Sequence, residues 1–409
     1  MNQQHNSKKV SNAGTDRENT TDLPAQAKGV LEEALKESAT DLHMDPVGPD
    51  TYRLCHRVDG VIHPRSEIPA AEGRNLINQI KVAAQLTPDH TFVPVESRMI
   101  YRQEGGHQEV RVTIMPTTRG EAVHLRMLSP PEEIIKPEEL GISEPILKQI
   151  KNALASPEGL ILISGPTGAG KTMTLYSLAS FLNLETSISV SIEDPVEYDL
   201  PYVRQVQSDE AHGLSMHEGL KSVLRMDPDI VIVGEIRDPE SAGTAVRAAA
   251  SGRFVLATLH ARDVAMATEA CRNYSVPRHL LASTLRMTTS QNLVRRVCRK
   301  CAKWRELSDE EKMMFESIEV QPPDKLPSAV GCEACHNYGY RGRTGIFEVV
   351  PMQRSLSEAV SEGAGVYRIK DLINKSDVRS LREDALSKVA EGTTTMEEIR
   401  NIHYPSALE

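Results

Sequence analysis

The segment Gly165-Pro166-Thr167-Gly168-Ala169-Gly170-Lys171-Thr172 constrains this 409-residue chain more than any other. It is a P-loop: its glycines permit a tight turn that points backbone N–H groups at phosphate oxygens. Lys171 brings a cation to the β- and γ-phosphates, and the Thr172 hydroxyl is a Mg²⁺ ligand. Context supports this reading, because GLILIS before the loop has the pattern of a buried strand and KTMTLYSLASFLN after it that of a helix. Short, continuous apolar runs recur at 160–163, 188–192, 230–233 and 254–256, alternating with helical stretches. Runs of that kind are parallel strands covered on both faces, so the fold class is α/β with a P-loop NTPase core.

Such a core needs acidic residues at neighbouring strand ends to hold metal and orient water. Two stretches supply them. Ile230-Val231-Ile232-Val233-Gly234-Glu235 reads as a Walker B strand in which Gly234 stands where aspartate is usual, leaving Glu235 to polarise water or act through the metal's hydration shell. Ser191-Ile192-Glu193-Asp194-Pro195-Val196-Glu197 ends another strand with three carboxylates, of which Glu193 is the catalytic candidate. His260, after the run at 254–259, either contacts the γ-phosphate or braces the sheet.

The N-terminal part has a different texture. Residues 1–27 are polar and unpatterned, as in a disordered tail. A helical period follows over 27–44, with Val30, Leu31, Ala34 and Leu35 on one face. Asp59-Gly60 between the strand stretches 52–58 and 61–63 signals a tight hairpin. EVRVTIM and AVHLRML alternate with period two around PTTRGE, so 28–129 reads as a small α+β domain. Centring that turn between Thr118 and Arg119 places Arg111 directly opposite Arg126, on the face away from Val110, Val112 and Ile114. Two arginines so placed repel unless an anion joins them. The Pro- and Glu-rich stretch 130–143 is a linker, and 144–409 holds the P-loop core. In that core Ser215-Met216-His217-Glu218 reads as a capping box ahead of Leu220, Val223 and Leu224, and Asp238-Pro239 opens another helix that ends near Gly252.

Cys298, Cys301, Cys332 and Cys335 form two Cys-x-x-Cys pairs, the pattern of a closed, structural Cys₄ zinc site within a module at 292–345. A C-terminal helical part follows over 350–409. Cys55 and Cys271 read as small buried hydrophobes. Around the first pair, Arg295, Arg296, Arg299, Lys300, Lys303 and Arg305 make a basic patch suited to phosphates, lipid headgroups, an acidic protein or plain solvent. The whole chain is acidic, 47 − 57 = −10, and only 4% aromatic, which argues against nucleic acid as a partner. The N-terminus has no apolar signal core, and no run approaches the roughly 18 residues of a spanning helix, so the expectation is a soluble, cytoplasmic protein.

GPTGAGKT, SIEDPVEY, DPDIVIVGEIRD and ATLHARD, in this order, resemble the Walker A, Asp box, Walker B and His box of the type II/type IV secretion ATPase superfamily. The cysteine pairs together with GYRGRTGIFEV narrow the resemblance to the type II secretion and type IV pilus assembly ATPases, over roughly residues 30–400. The resemblance implies a RecA-like core, a PAS-like N-terminal α+β domain and a zinc-binding insertion. It also implies a homo-hexamer that spends ATP with Mg²⁺ to assemble pilin or pseudopilin fibres. Such a motor meets the inner membrane through a platform protein and other assembly partners. It places Arg111 and Arg126 in the segment whose arginines reach the nucleotide when domains close. The chain departs from the pattern at Arg253, at Arg262-Asp263 and in TFVPVESRM. Two readings from other classes stand beside the motor: a nucleic-acid-stimulated translocase using the basic segment, and a non-hydrolysing nucleotide-gated scaffold suggested by Gly234.

Overall fold

The computed structural model describes residues 23–103, 106–128, 134–318, 320–400 and 402. Residues 1–22, most of the segment read as a disordered tail, lie outside the described residues, as do Ser129 and residues 130–133 of the linker. The chain divides into two compact units, Met1–Ser129 and Pro130–Glu409.

The first unit runs α1 (Ala25–Lys36), β1 (Ala39–Pro46), β2 (Thr51–Val58), β3 (Val61–Pro69), α2 (Ala70–Ala83), β4 (Val95–Gln103), β5 (Gly106–Thr117) and β6 (Gly120–Leu128). Its strands form one antiparallel sheet in the order β3-β2-β1-β6-β5-β4. Asp59 and Gly60 both take positive φ (50° and 87°), the two-residue turn whose twist suits a hairpin, and Val58 pairs with Val61. Val110, Val112 and Ile114 of β5 and Val123, Leu125 and Met127 of β6 are buried. The period of two therefore puts Arg111, Thr113, His124 and Arg126 on the other face.

One expectation is corrected here. The helix read over 27–44 stops at Lys36; Ser38 takes φ 59°, and ATDLHMDP is strand β1. Leu42 and Met44 are buried while His43 and Asp45 are not, an alternation of two that a helical window over the preceding residues obscures. β1 lies between β2 and β6, and pairing on both edges overrides local helical preference.

The second unit carries α3 (Glu144–Leu154), β7 (Gly159–Ser164), α4 (Lys171–Ala179), β8 (Ser189–Glu193), β9 (Val203–Gln207), α5 (Met216–Leu224), β10 (Ile230–Ile236), α6 (Pro239–Ala250), β11 (Phe254–Leu259), α7 (Val264–Asn273), α8 (Arg278–Thr284) and β12 (Leu285–Val297). After them come β13 (Lys303–Arg305), α9 (Asp309–Glu316), β14 (Leu326–Ser328), β15 (Tyr340–Pro351), α10 (Arg354–Glu362), α11 (Val366–Asn374), α12 (Leu381–Ala390) and α13 (Met396–Arg400). The main sheet has the order β15-β12-β7-β11-β10-β8-β9, parallel except for the antiparallel edge strand β15.

Its apolar runs are continuous because both faces are covered. Leu160 and Leu162 of β7 enter one core with Val231, Val255 and α6, whereas Ile161 and Ile163 enter a second with Ile232, Leu256 and residues of α3 and α4. A third cluster joins Val294 and Ile346 to Phe315, Leu326, Leu381 and Leu386, tying the insertion between β12 and β15 to α12. The end of the linker belongs to this unit too, since Ile142 is buried and the Leu140 carbonyl accepts the Gly345 N–H at 2.8 Å. Side-chain caps start five of the described α-helices: Ser215 accepts from the Glu218 N–H, Asp238 from Ser241, Asp263 from Met266, Ser308 from Glu311 and Ser380 from Glu383.

Candidate functional site: the P-loop and its carboxylates

The loop 165–170 joins the C-terminal end of β7 to the N-terminus of α4, with β11 and β12 pairing on either side of β7. Gly168 and Gly170 take φ of 77° and 81°, a conformation that a side chain disfavours. Gly170 is the N-cap and offers no side-chain acceptor. The first-turn N–H groups of α4 therefore face outward with the positive end of the helix dipole, an anion-binding arrangement. Lys171 is buried; burial lowers its pKa and Glu235 pulls the other way. Its Nζ donates to the carbonyls of Gly165 (3.0 Å) and Pro166 (3.2 Å) and faces His260 Nδ1 at 3.2 Å.

From Lys171 a continuous polar chain crosses the sheet end. An ammonium only donates, so His260 accepts at Nδ1 and carries its proton on Nε2, which bonds Glu235 Oε1. Glu235 Oε2 accepts from Arg237 Nε, and Arg237 Nη1 donates to Asp194 Oδ2 at 2.7 Å. Hydrogen bonding to Glu235 leads the causes that raise the Arg237 pKa, keeping the guanidinium charged. The ends of β7, β8, β10 and β11 are thus linked through Lys171, Asp194, Glu235, Arg237 and His260. Arg237 is not among the candidates read from the sequence, and Asp194 is there only as one of the three carboxylates at its strand end. The signal for Arg237 was its i, i+2 spacing from Glu235, which puts both on one side of an extended strand.

Glu193 stands apart from this group. It is 1% exposed, and its carboxylate accepts from Tyr176 Oη, Ser191 Oγ (2.5 Å) and Gln205 Nε2 (3.1 Å). Burial, then the neighbouring Glu193 charge, drives the Tyr176 pKa upward, so the phenol keeps its proton and donates it. Gly234 lies against it: a Cβ there would sit 3.1 Å from Glu193 Cα and 3.2 Å from its Cγ. An aspartate at 234 would crowd that side chain, which gives the glycine in the Walker B strand a packing reason.

In the first unit Arg111 pairs with Arg126 across β5 and β6, in the register read from the turn. Arg126 Nε donates to Asp41 Oδ1 at 2.9 Å, whereas Arg111 has no acidic partner among the described residues, and its Nε is buried without a hydrogen bond.

The four cysteine sulfurs lie within 4.8 Å of one another. Sγ separations are 4.0 Å for Cys298–Cys332 and 3.8 Å for both Cys301–Cys335 and Cys332–Cys335. Tetrahedral Zn–S bonds of about 2.3 Å require sulfur–sulfur edges of about 3.8 Å, so the donor set fits zinc. N–H groups of Gly331, Cys332 and Gly339 point at Cys301 or Cys335 Sγ, as thiolates require. Burial pushes the Cys335 thiol up, but the Cys332 and Gly339 N–H groups bring it to about 7. The basic patch nearby is smaller than its sequence suggests. Arg295 pairs with Glu398 (2.6 Å) and stacks on Tyr340, and Arg305 forms a two-point pair with Glu311 (2.6 and 2.7 Å). Arg299, Lys300 and Lys303 stay exposed.

Comparison with known proteins places these features. A family model described as "Type II/IV secretion system protein" matches residues 17–401. The type IV pilus assembly ATPase PilB of Myxococcus xanthus is 36% identical over 377 residues, 90% of this chain and 66% of the relative. The type II secretion system protein HxcR of Pseudomonas aeruginosa is 35% identical over 383 residues, 91% of this chain and 76% of the relative. The chain thus spans about two-thirds to three-quarters of the length of these two relatives. Among solved structures, the Legionella pneumophila ATPase DotB superposes with a TM-score of 0.65 at 18% identity, covering 94% of this chain and 97% of that one. The pilus retraction motor PilT with bound ADP gives 0.59 at 20% identity, covering 92% and 96%. At such identities the two structures speak for the fold.

Proposed function

The chain belongs to the type II/IV secretion system protein family, and on that premise we propose that it is an ATP hydrolase whose turnover drives pilin or pseudopilin fibre assembly, in type II secretion or type IV pilus biogenesis. The observation that carries this reading is the linked group at the P-loop, where Lys171, His260 and Glu235 converge on the N-terminus of α4. Nucleotide phosphates lie on the N–H groups of 165–172, and Lys171 exchanges its carbonyl partners for phosphate oxygens. Thr172 would hold Mg²⁺, which when bound would supply positive charge to offset that of the nucleotide phosphates. Glu235 orients and deprotonates the attacking water, and the Nε2 proton of His260 keeps that carboxylate in place. Glu193 fixes the end of β8 from within the core, so that Asp194 next to it meets Arg237. Arg111 and Arg126 stabilise charge on the transferring phosphoryl group. Cys298, Cys301, Cys332 and Cys335 would hold zinc, which would serve as a structural ion of the insertion.

The working form is a homo-hexamer in the cytoplasm, coupled to a platform protein of the inner membrane. No helix among the described residues is long and apolar enough to cross a membrane. Replacing Glu235 by Gln tests the reading. Removing a general base typically slows turnover by about 10²- to 10⁴-fold. The expected result is a loss of that size in steady-state phosphate release, with nucleotide binding retained. In cells carrying the variant, secreted enzymes or surface pilins disappear from the extracellular proteome. Unchanged hydrolysis would refute the assignment.

A further inference from the structure

The antiparallel sheet of the first unit builds a single cross-strand row from residues far apart in sequence. Arg98 faces Arg111 across β4 and β5, Arg111 faces Arg126 across β5 and β6, Arg126 faces Asp41 across β6 and β1, and Asp41 faces Arg57 across β1 and β2. Four cations share the row with one carboxylate. Like charges directly opposite one another destabilise a sheet, so the single acid is decisive for how the arginines stand.

Asp41 is 4% exposed, and both its oxygens are engaged. Oδ1 accepts from Arg126 Nε at 2.9 Å and from His124 Nε2 at 2.8 Å. Oδ2 accepts from Thr40 Oγ1 at 2.8 Å and has Arg57 Nε at 3.8 Å. His124 is held in turn by stacking on His43, with ring centroids 4.6 Å apart and planes 10° from parallel. The Arg126 side chain is 55% exposed, and its only hydrogen bond among the described residues is the one from Nε. A guanidinium tethered at Nε keeps its two terminal nitrogens free as a planar fork, the part that grips a phosphoryl group.

We infer that Asp41 is the positioning residue for Arg126: it anchors Nε, neutralises part of the row's repulsion and leaves the terminal fork of Arg126 free for the phosphoryl group. This rests on the role proposed above for Arg126. Arg111, with no carboxylate of its own, completes the anion contact beside it.

The test is steady-state ATP hydrolysis by the full chain with Mg²⁺, separating kcat from KM, for Asp41→Ala, Asp41→Asn, Arg126→Ala and the Asp41→Ala/Arg126→Ala double variant. Arg126→Ala should lower kcat about 100-fold. Asp41→Ala should lower kcat about 10-fold, with KM for ATP within about twofold, and Asp41→Asn should lose less, because its amide oxygen still accepts from Nε. In the Arg126→Ala background, Asp41→Ala should add less than about a twofold loss, since residues acting through one another are not additive. Losses that multiply in the double variant overturn the proposal. So does an Asp41→Asn variant, folded by its thermal melt, that matches the alanine variant in kcat. If Arg126→Ala slows turnover and Asp41→Ala does not, positioning by Asp41 alone fails. If Arg126→Ala leaves kcat intact, the proposed role of Arg126 fails and this inference with it.

Discussion

A carboxylate sealed from water needs hydrogen-bond donors in place of solvent, and Glu193 finds them in Tyr176, Ser191 and Gln205. Tyr176→Phe removes one donor without changing shape. A buried acceptor short of one hydrogen bond costs about 1–3 kcal/mol, so the thermal melt of this variant should move down by several degrees, with KM for ATP little affected. Gly234 is tied to the same group. Gly234→Ala puts a methyl 3.1–3.3 Å from Glu193, tighter than relaxed packing allows. Because the strand ends on which Asp194 and Glu235 sit would shift together, both the melting temperature and kcat should fall; a variant with unchanged kcat would show that this spacing is not used.

At the scale of elements, β15 carries a buried acid where it meets α12. Glu348 pairs in register with Ser290 of β12 and accepts the Leu381 N–H at 3.2 Å. Burial raises its pKa to about 7; the Leu381 N–H and Lys370 oppose this, and Asp263 adds to it. The unfolded chain ionises this group near 4.5. Below that pH both states hold the proton, and Glu348 contributes nothing to the pH dependence. Between pH 4.5 and 7 the unfolded state releases its proton first, so stability falls as pH rises, reaching a loss of about 3 kcal/mol above pH 7. Glu348→Gln keeps an acceptor for Leu381 and has no proton to lose. Denaturant melts should show this variant gaining on the parent from pH 5 to pH 8, and parallel curves would refute the burial argument.

For the whole molecule, the insertion between β12 and β15 must hold itself closed with little core of its own. Phe315 and Leu326 pack on α12, β13 pairs with β14, Arg305 pairs with Glu311, and the cysteine quartet joins the two ends of the insertion. Cys332→Ser should reduce bound zinc from about one per chain to well below one by metal analysis, given that a closed structural site needs all four thiolates. Limited proteolysis of that variant should then cut between residues 298 and 340 first, while the sheet around the P-loop resists, because its two cores are independent of the metal.

What the sequence determined by itself was chemistry written in neighbouring residues. The P-loop, the Asp59-Gly60 turn, the capped starts of α5 and α6 and the two cysteine pairs are each local, and turn geometry or ligand spacing reads directly from consecutive positions. The pairing of Arg111 with Arg126 was legible for the same reason, since a two-residue turn sets the register of the strands it joins. The extent of α1 was not, because the pairing of β1 on both edges ended a helix that its own residues would have continued. Tertiary structure alone decided what strand order brings together. It put His260 between Lys171 and Glu235 and Arg237 onto Asp194. It also turned Glu193 inward to Tyr176 and set Asp41 beside Arg126, 85 residues away in sequence. Hydrogen-bonded partners at such separations carry no local signature, since each is chosen by which strand ends up next to which.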